Sequence, residues 1–225
     1  MPRPEPRLSV NKLGEYLTCG ASRRKRILGD AKYPKNFIAP RYNDFYAVAP
    51  QYLASNPFDD DIITAAISEI QNRQQGTEWD EQNKILNVDL LGNLVDITDQ
   101  LPGEGLSLTP LPNSQDDLVI DSVTVSVRPE ILIRGSFRGR EVIGALKFYL
   151  PKSSPLDEET ADYITTTVHQ HLSTYPPCSG EIDYRLCLVA DVPSRSVYAA
   201  PRSFTRRRQD IVAACGEIAA RWPSI

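Results

Sequence analysis

The sequence predicts an α/β protein, helices packed on a small mixed β-sheet, and three observations carry that expectation. Val123, Val125, Val127, Ile131 and Ile133 share one parity, with Thr124, Ser126, Arg128 and Arg134 on the other, the alternation of a half-buried strand. Val142 to Leu150 is almost continuously apolar, as a strand covered on both faces would be, and Lys147 alone breaks the run. Ala161, Ile164, Val168 and Leu172 then recur at helical spacing.

Composition bounds the rest. A chain of 225 residues with 24% charged side chains reads as one domain with a sizeable core, or one domain with a subdomain. Its formal charge of −4 excludes a wholly electrostatic, histone-like DNA binder but leaves room for a local basic face. No apolar run approaches the roughly 20 residues that span a bilayer. The opening MPRPEPRLSV has no apolar signal core, so the expected location is cytoplasmic with no membrane partner. Cys19, Cys178, Cys187 and Cys215 are widely spaced with no CxxC, and read as reduced, buried thiols.

In order along the chain, residues 1–101 read as a helical N-terminal region. Ser9 caps a short helix to about Leu17, Gly20 breaks it, and Ser22 caps a second helix, SRRKRILGD, that stops at Gly29. Arg23, Arg24, Lys25 and Arg26 on the second helix permit a helix-turn-helix reading with DNA or RNA contact; the alternative is a solvated charge run. Tyr33 to Pro57, rich in Pro, Asn and Tyr, reads as irregular. Asp59 to Asp61 open a helix to about Gln75, and a further helix runs from Trp79 towards Ile97 with Gly92 inside it. Residues 102–117 form a Pro/Gly/Ser-rich connector into an α/β core over 118–225.

In that core the alternating strand should bulge or lie at an edge, because Pro129 lacks a backbone donor. Gly135 and Gly139 bracket an expected five-residue hairpin turn. Ser154-Pro155-Leu156-Asp157 starts the long helix over 155–174, strands follow at 184–190 and 196–200, and the last helix spans about 205–222. Ile211, Val212, Cys215, Ile218 and Ala219 should be its buried face. Arg206, Arg207 and Arg208 stand in its first turn, the wrong end of the dipole for cations, which invites an anionic partner or is a solvated charge run. His169 and His171 lie two apart on a helix and cannot chelate together.

One constellation resembles a known family. Pro129-Glu130 is followed one strand later by Ala145-Leu146-Lys147 and then by the long helix, and the opening LSVNKLGEYLTCGASRRKRIL looks like the first helix of RecB-like exonucleases. Together these resemble the PD-(D/E)xK nuclease superfamily, built on an α-β-β-β-α-β core. The resemblance implies a restriction-endonuclease-like core and a prokaryotic role in nucleic-acid transactions or defence. For an active member it implies a metal-dependent nuclease using Mg²⁺. Glu130 would be the first metal ligand and Lys147 the catalytic electrostatic partner. Ala145 departs from the pattern, standing where the second acid belongs, so a further ligand would have to come from Glu158, Glu159 or Glu69. The expectation is therefore a degenerate or rearranged nuclease. Beside it stand a non-enzymatic protein-interaction subunit and a helix-turn-helix regulator. Read from the residues alone, Glu130 and Lys147 could equally be a cross-strand ion pair on the solvent side of an edge hairpin.

Overall fold

A computed structural model describes residues 2–34, 41–55, 57–74, 76–101, 105–152 and 154–225. Strand β1 (Arg7–Ser9) runs into helix α1 (Val10–Thr18), whose N-cap Ser9 accepts from the Lys12 amide at 3.3 Å. Helix α2 (Ala21–Lys32) starts after Gly20 with no side-chain cap, so Ser22 is not the cap expected. It also runs through Gly29, since a lone glycine only weakens a helix interior.

The segment read as irregular contains helix α3 (Asn43–Ala54), with Pro50 inside it. Phe45, Ala49, Tyr52 and Leu53 bury one stripe at helical spacing, and that burial outweighs the proline. Residues 35–40 and 56 of that segment, Gln75 at the end of the next predicted helix, and 102–104 of the connector lie outside the described residues. Helix α4 (Asp60–Asn72) is capped by Asp59, and α5 (Glu78–Asp96) by a reciprocal Thr77–Asp80 capping box.

Strands β2 (Ser107–Pro110), β3 (Leu118–Ile120), β4 (Val123–Ser126), β5 (Ile131–Phe137) and β6 (Arg140–Tyr149) follow. The continuous alternating strand of the sequence is thus two strands, β4 and β5, in different sheets. One sheet has the order β1-β4-β3, the other β2-β5-β6-β7-β8, where β7 is Glu181–Asp191 and β8 is Ser196–Ala199. Arg128, at φ +46 before Pro129, turns the chain from one sheet to the other. The β5–β6 turn is tighter than expected: Phe137 pairs with Arg140, leaving a two-residue loop of Arg138 and Gly139.

Helix α6 (Glu158–Thr174) carries the chain from β6 to β7, which is parallel to β6. Its N-cap is Asp157, accepting from the Thr160 amide at 2.7 Å, and not Ser154. Helix α7 (Thr205–Arg221) closes the fold. It buries Ile211, Ala214, Cys215 and Ile218, but leaves Val212 48% exposed against expectation.

The five-stranded sheet separates two cores. Ala145 and Tyr149 of β6 face Leu13, Tyr16, Ile164 and Cys215 from α1, α6 and α7. Leu146 and Phe148 of the same strand, with Leu150 just past its end, face Phe45, Tyr52, Leu90 and Leu94 from α3 and α5. The apolar run of β6 is therefore covered on both faces, as its sequence predicts. Helix α1 approaches α6 closely at Gly14, where an added Cβ would lie 2.8 Å from the Ile164 side chain. No helix among the described residues is long and apolar enough to cross a membrane.

Candidate functional site

Glu130 and Lys147 meet. Ile131 pairs with Leu146, so Glu130, one residue before β5, stands opposite Lys147 on β6, and the two form an ion pair. The pair is buried, with the side chains only 12% and 11% exposed. It lies on interior strands, not on the solvent side of an edge hairpin. The other oxygen of the carboxylate, Oε2, accepts from the Phe148 amide at 2.7 Å, and the Lys147 ammonium also donates to the Arg128 carbonyl at 3.1 Å. Removal from water raises the Glu130 carboxyl above its ordinary range, an effect partly offset by the Lys147 charge and the Phe148 amide.

Two neighbours complete the site, and nothing in the sequence marks either. Arg128 holds a left-handed backbone conformation, strained for a bulky residue before proline, and thereby presents its carbonyl to Lys147. Asn11 on α1 donates to the Phe148 carbonyl at 3.3 Å, while its own Oδ1 is buried without a hydrogen-bond partner.

The residues do not fit the magnesium ion that the resemblance implies. Both Glu130 oxygens are engaged by protein donors, and Ala145, fully buried in an apolar core, offers no ligand atom. Glu69 sits on α4, which packs on α3 and α5; its carboxylate is 77% exposed and lies 3.6 Å from Arg73. Glu158 and Glu159 are exposed in the first turn of α6. Among the described residues, no group of three or more His, Cys, Asp or Glu side chains is placed to hold a metal.

The basic residues divide between structural and free. Arg23 pairs with Glu15 at 2.5 Å. Arg24 caps the end of α1, donating to the Tyr16 and Leu17 carbonyls at 2.9 and 3.1 Å, and lies over the Tyr16 ring. Lys25 and Arg26 are exposed. On α7, Arg207 pairs with Asp162, and Arg208 stacks over Phe204 and donates to His169 Nδ1 at 3.1 Å. Arg206 is exposed. Arg24 lies 3.9 Å from Glu217 on α7, ten residues beyond Arg207, so the two basic segments stand about 15 Å apart along that helix.

The four cysteines are free. Burial pushes the Cys187 and Cys215 thiols up to about 12, so both are inert as nucleophiles at neutral pH. No protein-family model matches this chain, and no curated protein sequence matches it.

Proposed function

We propose that this chain is a nucleic-acid-associated protein built on a PD-(D/E)xK-like core that no longer cleaves. The observation that carries the reading is the Glu130–Lys147 pair itself. An acid and a lysine stand opposite each other on two interior strands where that superfamily keeps its site, yet protein donors engage both carboxylate oxygens and Ala145 stands in place of the second acid. The chain order supports it: α5, then the antiparallel strands β2, β5 and β6, then α6, then β7 parallel to β6, with β3 and β4 inserted as a pair against β1. Phosphodiester hydrolysis needs a cation held by several carboxylates, and this arrangement supplies a neutralised pair instead. Of the two basic segments, the exposed cations Lys25, Arg26 and Arg206 remain free to contact a nucleic acid. The alternative of a protein-docking subunit draws on β3, an edge strand that leaves Val119 70% exposed.

The test is incubation with labelled single- and double-stranded DNA and RNA in Mg²⁺ or Mn²⁺, with binding followed by fluorescence anisotropy. Binding that weakens steeply with added salt, with no cleavage beyond that of a Lys147→Met control, is the expected result. Metal-dependent cleavage that Lys147→Met abolishes would contradict the proposal.

A further inference from the structure

At the far end of β6, seven residues and about 23 Å from Lys147, the chain builds a second site that owes nothing to the ion pair. The β5–β6 hairpin closes through Arg138 and Gly139 at φ +53 and +76, the primed two-residue turn that Asn-Gly serves best. A long cation at its first position is strained there, and the turn gains nothing from it. Next to this tip β7 bulges. Ile143 pairs with Ile182 but Ala145 with Cys187, so residues 183–186 stand against Gly144 alone. The bulge sets Asp183, Tyr184 and Arg185 beside Phe137, Arg138 and Arg140 around a cavity of about 400 Å³.

The cavity has an aromatic wall and a cationic rim. Arg185 is held by Asp183, with contacts of 2.9, 3.2 and 2.5 Å, and its guanidinium lies 4.3 Å from the Phe137 ring centroid and 6.0 Å from that of Tyr184. On the rim, Arg138 lies over the Phe137 ring at 5.2 Å and has no carboxylate partner among the described residues, and Arg140 reaches Glu181 only at 3.5 Å while remaining 77% exposed. Three arginines face two carboxylates, a local positive excess on a chain of net charge −4.

We propose that this cavity binds a nucleotide. The base packs against Arg185 and Tyr184, with Phe137 seating the guanidiniums of Arg185 and Arg138, and the phosphate takes hydrogen bonds from Arg138 and Arg140. A cavity of this size lies within the range of small-ligand sites and holds one nucleotide unit. The nucleotide is either free or an unstacked residue of a single strand, since the recognising chemistry is the same for both. The site stands whether or not the Glu130–Lys147 reading above is correct.

The test measures binding of a fluorescent adenosine monophosphate analogue and of a labelled single-stranded oligonucleotide to the whole chain and to Arg138→Asn. Asparagine suits the left-handed turn position, so the variant should melt no lower than the parent while its affinity falls roughly tenfold, the effect of one lost charge-assisted contact. Phe137→Leu removes the ring that seats Arg138 and Arg185 and should weaken both probes by a similar factor. Should Arg138→Asn melt lower, Arg140→Gln, at an exposed position, carries the same expectation. Binding of the strand alone assigns the source as single-stranded nucleic acid, and binding of both probes includes free nucleotides. A parent that binds neither probe, or rim variants that bind as the parent does, would overturn the proposal.

Discussion

Lys147 is held by its position. Its ammonium neutralises a carboxylate whose side chain is only 12% exposed, so removing it leaves Glu130 largely buried without its counter-charge. Lys147→Met should therefore cost about 3–5 kcal/mol, even though the stem volume is conserved, whereas Lys147→Met with Glu130→Gln should recover most of the loss. This reverses the expectation for an exposed pair, where such a change is worth under about 1 kcal/mol. The Glu130 carboxyl is raised in the folded state, so its contribution is greatest below its unfolded pKa and is lost as pH rises through the folded one. Without Lys147 the folded pKa rises further. The deficit of Lys147→Met should shrink on acidification towards about pH 5, as urea titrations at several pH values would show.

His171 moves the other way. It is 3% exposed, its Nε2 donates to the Asp116 carbonyl at 2.9 Å, and its Nδ1 is buried without a partner. Burial lowers its pKa, so the stability it contributes is full above the usual imidazole value of about 6.5 and is lost as pH falls through the folded one. Burial and the nearby Arg208 charge lower His169 as well. Stability should decline on acidification below about pH 6.5, and His171→Gln should flatten the slope in pH-dependent thermal melts.

At the scale of elements, two glycines predict opposite outcomes for one substitution. Gly144 faces the β7 bulge, where an added Cβ would lie 2.2 Å from the Leu186 carbonyl oxygen. Backbone cannot give way as a side chain can, so Gly144→Ala should destabilise by about 2–3 kcal/mol or more. Gly92 lies inside α5 with open space at the Cβ position, and Gly92→Ala should stabilise by about 0.5–1 kcal/mol. Urea midpoints of the two variants, moving in opposite directions from the parent, are the check.

The helix stripes and the doubly covered β6 were legible across the whole molecule because periodicity reports which face is buried. It does not report which partner covers that face. Val125 and Ile133 share a parity and are both buried, yet one packs towards α1, α6 and α7 and the other towards α3 and α5. The switch happens at Arg128, whose left-handed backbone no propensity announces. Helix α3 was readable in principle from Phe45, Ala49, Tyr52 and Leu53, but Pro50 and the surrounding Asn and Tyr residues masked it. Of the candidate site, the pairing of Glu130 with Lys147 could be anticipated from strand spacing. Its burial could not, because that depends on which elements cover β5 and β6, and strand spacing does not report them. Manganese binding, followed by electron paramagnetic resonance of the free ion during titration into the parent and Glu130→Gln, tests the central claim most directly. A carboxylate satisfied by Lys147 and the Phe148 amide predicts no difference between the two proteins, whereas one Mn²⁺ per chain in the parent that disappears in Glu130→Gln would contradict it.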